Sequence, residues 1–298
     1  DSDYLASLEE ASDRLVEKIQ RHCWKGDFFA RVLFNKYDDG RYSYLGAQGD
    51  GLSADPSLPG SYFLNSFTWS ILARVATEEQ IATMLDVVKR VLLTPHGLKL
   101  CSPVNFSDIA GRGGSAEYFL GDRENGGVFK HADAMAIAAM FQAARRVQDP
   151  KLAAELADLA YRVLEVILPY RTMADPYRLC GNPRFCTQYN NSETGENIGP
   201  TLSGTATWLW LALVEAFGLR VGPEEIEVNP LLSDSQQRLR ILLRTGRSNY
   251  DISISKPTGV RRTTDSQPRL ILDGRPVEGI RVPHYDDDET HRLEVIFS

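Results

Sequence analysis

Arg123-Glu124-Asn125-Gly126-Gly127-Val128-Phe129-Lys130-His131-Ala132, residues 123–132, leads directly into the alanine-rich stretch 131–147, and the fold reading starts from this join. Two adjacent glycines give the backbone a turn that other residues resist. Alanine is the strongest helix former, so 131–147 reads as a helix with His131 in its first turn. A carboxylate, a flexible turn, a histidine and a helix start therefore follow one another in a single short segment.

The same alternation of loop and helix extends in both directions. Upstream, Leu5, Leu8, Ala11, Leu15 and Ile19 form a helical stripe over residues 3–23. Residues 24–34 read as a turn and a short extended piece, and 35–61 as a long loop. A helix follows over 63–75 with Asn65 or Ser66 as its N-cap, then another over 77–93 that opens on the capping box Thr77-Glu78-Glu79-Gln80. Downstream, 150–168 is a helix stopped by Pro169, and 205–217 is one closed by Gly218. Long irregular stretches at 94–127 and 169–204 separate them. Loops of this length inside a compact domain are usually functional. Long helices with long loops gathered at one end are the pattern of an α/α barrel, of which these helices are about half.

The composition changes near Pro223. Short alternating segments follow at 238–244, 250–255, 269–272, 277–282 and 292–297, with Asp273-Gly274 as a hairpin signal. The expected fold class is mainly α with a β tail. The expected domains are 1–222, a barrel portion, and 223–298, a small β-sandwich cap.

Of the 298 residues, 43% are hydrophobic and 24% charged, an ordinary globular composition, and the net charge is -7 with a pI near 5.4. An acidic chain without a basic run is not built for nucleic acid or anionic membranes. No segment reaches the roughly 18 to 20 apolar residues of a membrane span. The opening DSDYLASLEE is not a signal peptide, and it enters a helix at once, which suggests a piece of a longer product in the cytoplasm. Cys23, Cys101, Cys180 and Cys186 lack CxxC spacing and read as reduced small hydrophobes, with a Cys180–Cys186 bridge as the alternative. No metal or cofactor site is expected. Asp286-Asp287-Asp288-Glu289 reads as a solvated turn.

The chemistry concentrates in three places. His131 at a helix start joins a donor to unpaired N–H groups and a positive dipole end, an anion site, although a capping or core histidine is the alternative. Ser203-Gly204-Thr205 precedes the helix 205–217 in the same manner, and Ser-Gly-Thr is also a common N-cap. Gln188 offers an amide to phosphate or sugar, or packs its loop. Trp24, Phe28, Phe29, Trp69 and Tyr118 are either sugar-stacking platforms or core.

Taken together, CWKGDFFAR, FLNSFTWSIL, TPHGLKL, the ENGG…HA run, LSGTATW and the LDG hairpin resemble the inverting β-glucoside phosphorylases of glycoside hydrolase family 94, which include cellobiose phosphorylase and the phosphorylase-like domain of cyclic β-1,2-glucan synthases. The resemblance covers nearly the whole chain and implies an (α/α)6 barrel followed by a β-sandwich. It implies reversible phosphorolysis of a β-glucosidic bond to α-glucose 1-phosphate. By motif, Glu124 with Arg123 and Asn125 would bind sugar; His131, Ser203, Gly204 and Gln188 would bind phosphate, Ser203 standing where the family usually has threonine.

The family's general acid is an aspartate in an Asp-Trp-Asn-Asp-type motif, which these residues lack, so no catalytic residue is assigned here. The resemblance implies that the acid and the remaining N-terminal barrel lie upstream or on a partner chain. The expected partners are a β-glucan oligosaccharide or disaccharide, inorganic phosphate as co-substrate, and a second copy in a homodimer. An inverting hydrolase using Glu124, Asp122 or Glu117 as base, or a non-catalytic glucan-binding fragment, is the alternative.

Overall fold

The computed structural model describes residues 2–105, 118–175, 179–180, 186–199, 204–233, 235–257 and 267–297. Helix and sheet both contribute substantially, so the chain is mixed rather than mainly helical, and the sheets are small. It divides into two compact units, residues 1–140 with 162–208, and residues 141–161 with 209–298.

In the first unit, α1 is Ser2–Cys23, α2 is Leu64–Leu72 and α3 is Glu78–Val87, extended by a π turn over Val88–Leu92. α4 (Lys130–Ala144), α5 (Pro150–Ile167) and, after the single-turn α6 (Pro169–Thr172), α7 (Thr205–Phe217) each contribute to both units. The capping box on Thr77 forms as the sequence predicts. The cap expected on Asn65 or Ser66 does not: Phe63 is the N-cap and gives no side-chain bond. The Leu64 N–H donates instead to the Leu100 carbonyl at 2.9 Å, so tertiary pairing satisfies the helix start.

α4 is buried nearly all round, from Ala132 to Ala144, and its small side chains let neighbouring backbone approach closely. α1 is the opposite: it is amphipathic yet buries no residue, and Tyr4, Leu5, Leu8 and Leu15 are exposed. The stretch read as one loop, 35–61, begins inside a hairpin of β1 (Val32–Lys36) and β2 (Tyr42–Leu45). The other small strands are β3 (Leu93–Thr94), β4 (Gly97–Leu98), β5 (Val128–Phe129), β6 (Tyr189–Asn190) and β7 (Asn197–Ile198); the last three form one sheet.

The second unit carries β8 (Leu219–Val221), β9 (Glu225–Val228), β10 (Arg238–Thr245), β11 (Ser248–Ser255), β12 (Arg269–Leu272), β13 (Arg275–Val277), β14 (Arg281–Pro283) and β15 (Thr290–Ile296). They make a sheet in the order β10-β11-β15-β12-β13 and another in the order β14-β9-β8. One core joins the two, with Ile226, Val228 and Val282 facing Tyr250, Ile252, Leu270, Leu293 and Val295. That arrangement is a sandwich. The segment read as 277–282 is split between two strands in different sheets, and β8 and β9 were not foreseen.

The acidic turn 286–289 is solvent-exposed, as the sequence predicts, and its carboxylates are also paired. Asp286 and Asp288 hold Arg247, and Asp287 accepts from Ser248 Oγ at 2.8 Å. His291 Nε2 lies 3.2 Å from both Asp287 oxygens, while its Nδ1 lies 2.8 Å from Asp273. Burial lowers the His291 pKa, the two carboxylates outweigh it, and the net shift is upward. None of the four cysteines forms a disulfide, so Cys180 and Cys186 are not bridged. Among the described residues no helix is long and apolar enough to cross a membrane.

Candidate functional site

The three long connections, 24–63, 93–129 and 168–204, each leave the C-terminus of one helix and enter the N-terminus of another. The loop that ends in α4 is folded by its own backbone. Asn125 N–H donates to Asp122 O at 2.9 Å, Gly121 N–H to Asn125 O at 2.9 Å, and Gly127 N–H to Arg123 O at 2.8 Å. Arg123 takes a φ of 43°, and Gly126 one of 97°, where glycine has no Cβ to strain. A Cβ on Gly127 would stand 2.7 Å from both the N and O of Arg123, so the double glycine is a requirement of this turn.

The candidate sugar-binding residues share this turn. Glu124 is exposed, and its carboxylate makes no hydrogen bond or ion pair among the described residues. The Cys101 thiol donates to its carbonyl at 3.0 Å, tying the turn to the chain near α2. Arg123 donates from Nε to Tyr189 Oη at 3.2 Å and lies over the Tyr118 ring. Asn125 Nδ2 donates to the Tyr118 carbonyl at 2.9 Å. Arg123 and Asn125 thus brace the turn, while the Glu124 side chain is left facing solvent. Among the described residues the buried Asp122 Oδ1 has no hydrogen-bond partner.

The β5–β6 pairing brings the second loop alongside. Val128 and Phe129 pair with Asn190 and Tyr189, and the Lys130 N–H donates to the Gln188 carbonyl at 3.0 Å. Gln188 is therefore adjacent in backbone to the start of α4. Its side chain packs on Gly199, where a Cβ would come within 2.9 Å of Oε1. His131, the second residue of α4, is half-buried, and burial pushes its pKa down. Its ring stands edge-on to Phe129 at 5.5 Å, and Phe129 stacks on Tyr189 at 5.1 Å. A row of rings thus fixes the imidazole from one side.

Lys130 and Asp133, flanking His131, were missed by sequence reasoning. Both are buried, at 1% and 0% exposure, in a helix turn where charges ordinarily face water. Lys130 Nζ donates to Asn190 Oδ1, and Asp133 accepts the Leu98 N–H at 3.2 and 3.3 Å. Burial pushes the lysine pKa down and the carboxyl pKa up, each opposed by the other's charge. The available signal was their spacing on one helix face inside an otherwise apolar run.

The third candidate element is the start of α7. Gly204 takes a φ of 76°, and its carbonyl accepts the Trp208 N–H at 3.1 Å. Among the described residues the buried Thr205 Oγ1 has no hydrogen-bond partner. Ser203 lies outside the described residues, as does Glu117. The described contacts join residues 123–125, His131 and Gln188 into one unit and do not extend to Gly204. Of the proposed aromatic platforms, Phe28 and Phe29 are core, Tyr118 lies under Arg123, and Trp69 is half exposed.

The chain is similar to the solabiose phosphorylase of Paenibacillus borealis, 24% identical over 97% of this chain and 35% of that protein. It is also similar to the N,N'-diacetylchitobiose phosphorylase of Vibrio proteolyticus, 23% identical over 96% and 33% respectively. The 3-O-beta-D-glucopyranosyl-beta-D-glucuronide phosphorylase of Paenibacillus borealis is 24% identical over 95% and 34%. The chain thus spans about a third of the length of these relatives. A solved family 92 alpha-mannosidase from Bacteroides thetaiotaomicron aligns with 94% of this chain and 31% of its own, at 12% identity and a TM-score of 0.33, too low to inform the fold. Residues 1–217 match the family description "Glycosyl hydrolase 94 superfamily, catalytic domain", and the chain belongs to that superfamily.

Proposed function

We propose that this chain forms part of an inverting glycoside phosphorylase, which transfers a glucosyl unit from a β-glucoside to inorganic phosphate and releases α-glucose 1-phosphate. The observation that carries the reading is the single hydrogen-bonded unit in which an exposed, unpaired Glu124 and a half-buried His131 flank one glycine turn. The family relationship supports it, since the relatives named above are disaccharide phosphorylases. An (α/α)6 barrel, completed by residues beyond these 298, is the architecture proposed for the catalytic part.

Hydrolysis by inversion needs an acid for the leaving oxygen and a base for water. Phosphorolysis needs the acid and an anion cradle, because phosphate is itself the nucleophile. His131, the start of α4, Gln188 and Ser203-Gly204 are proposed as that cradle, holding phosphate for in-line attack. A lowered histidine pKa leaves a neutral imidazole near neutral pH, which gives or accepts one hydrogen bond to phosphate without demanding a second charge. Glu124 is proposed to hold sugar hydroxyls, with Arg123 and Asn125 supporting its turn. The general acid is assigned to a residue outside this chain. The relatives differ in the sugar they split, so linkage and acceptor are left to experiment.

The test is phosphate-dependent release of glucose 1-phosphate from a panel of β-1,2, β-1,3 and β-1,4 glucosides. His131→Ala is expected to raise the KM for phosphate far more than that for sugar, and an unchanged phosphate dependence refutes the assignment. The hydrolytic alternative would use Glu124 or Asp122, two carboxylates of the same turn, as base for water. Free glucose released without phosphate decides for it.

A further inference from the structure

A cleft in the first unit, of about 770 Å³, lies between the last turn of α1 and the β1–β2 hairpin, and its charge contrasts with the rest of the chain. Arg21, Lys25 and Lys36 line it, in a protein whose net charge is -7. None of the three side chains makes a hydrogen bond or ion pair among the described residues. The lining acid, Asp39, is already neutralised by Arg41, whose Nε lies 2.6 Å from Oδ2.

The hairpin is shaped to gather these cations. Tyr42 and Tyr44 are two apart on β2 and share a face. Asn35, at a φ of 46°, forms a bulge in β1, and the register shifts so that Lys36 pairs with Tyr42. Without the bulge Asn35 would take that place; one extra residue re-aims the lysine. Lys36 then lies 6.0 Å from the Tyr42 ring centroid, and Lys25 lies 4.4 Å from that of Tyr44. The His22 ring meets Tyr42 edge-on at 5.4 Å. Such contacts hold ammonium groups in place without cancelling their charge. Beside them the Tyr42 hydroxyl makes no hydrogen bond among the described residues, and the Tyr37 ring is exposed.

We infer that this cleft binds a saccharide bearing a carboxylate, the acid on Arg21, Lys25 and Lys36 and the sugar against Tyr37 and the Tyr42 hydroxyl. The cleft is much larger than a phosphate ion, and its mixture of cations, a hydroxyl and an open ring matches a charged sugar better than a small ion. The ligand class rests on the carbohydrate reading above, but the binding does not require that phosphorolysis occur.

Calorimetric titration with a β-linked disaccharide ending in glucuronate, against the same disaccharide ending in glucose, tests the proposal. The acidic sugar is expected to bind roughly tenfold more tightly at low salt, and the margin to shrink as salt screens the charges. Lys25→Glu with Lys36→Glu should abolish the margin, Lys25→Arg with Lys36→Arg should keep it, and His131→Ala should leave it in place. Equal binding of the two sugars, or a margin unmoved by the double charge reversal, overturns the proposal. So does tighter, equally Lys25- and Lys36-dependent binding of inorganic phosphate or of a thymidylate oligonucleotide, which would make the cleft a general polyanion site. Phosphorolysis of the neutral disaccharide is assayed in parallel; its absence strikes the phosphorylase reading and leaves the binding comparison intact.

Discussion

Replacing Asp133 by asparagine keeps the shape of the side chain and its acceptor oxygen for the Leu98 N–H, yet removes the charge that opposes Lys130. Residues three apart on a helix are separated by about 5–6 Å, so their attraction is about 3 kcal/mol at an effective dielectric near 20. That is an upper bound, reached only where the carboxyl is ionised, because burial holds its pKa up; Lys130 would then be left buried with only an amide oxygen as partner. A loss of about 3 kcal/mol is a large share of the roughly 5–15 kcal/mol by which domains are stable. The penalty should also depend on pH. Without Asp133 the folded-state pKa of Lys130 falls further below its unfolded value of about 10.4. A depressed lysine means the unfolded state binds more protons, so the variant regains stability as pH rises through that window, while the parent protein loses stability as pH rises toward about 8 because the folded state keeps the Asp133 proton longer than the unfolded chain. Urea denaturation at pH 6, 7.5 and 9 measures this, the midpoint deficit shrinking with pH. A penalty independent of pH, or one that grows as pH rises, would refute the account. Lys130→Met with Asp133→Leu should be less harmful than the sum of the single changes.

Gly127→Ala forces a Cβ onto the Arg123 backbone and should cost about 1–3 kcal/mol while lowering kcat/KM for phosphorolysis; an unaltered melting temperature and rate would show that the turn tolerates bulk. The His291 clasp has a defined pH window. Its raised histidine pKa stabilises the fold below the unfolded value of about 6.5, and that contribution fades as pH rises through the folded pKa. Asp273 and Asp287 have lowered pKa values, so their contribution is present above about 3.9 and fades as pH falls through the folded values. The melting-temperature deficit of His291→Gln should therefore peak between about pH 4 and 6.5, and a flat deficit would dismiss the clasp. Thiol titration at pH 8 should find Cys180 fast and Cys101 slow, since Cys180 is exposed and burial pushes the Cys101 pKa up to about 11; rapid labelling of Cys101 would contradict its environment.

What was legible in the sequence followed from local chemistry. Alanine content and the flanking glycines announced α4, Gly218 closed α7, and Thr77 capped α3. The glycine turn and His131 were recognisable for the same reason, being contiguous in the chain. The β1–β2 hairpin was hidden because the bulge at Asn35 breaks the alternation that identifies a strand. Phe63 could not be recognised as an N-cap, since its helix is satisfied by a carbonyl contributed from Leu100. Lys130 and Asp133 resembled surface charges because burial is decided by what packs around a turn. His291 and the acidic turn looked unrelated to Asp273, which meets them only through sheet pairing. Apart from the bulge, which is local, each miss depended on a partner remote in sequence, which periodicity cannot reveal.

The π turn at Val88–Leu92 has an implication for how sequences of this kind are compared. Its wider i to i+5 closure accommodates one more residue than an α turn would. Deleting a residue there would let the helix tighten and rotate everything beyond by about 100°. The hairpin at 93–98 would then swing its Leu98 amide away from Asp133. A one-residue gap at this point in an alignment is therefore a change of angular phase, and sequences on either side of such a gap should differ together in what they place at 98 and 133.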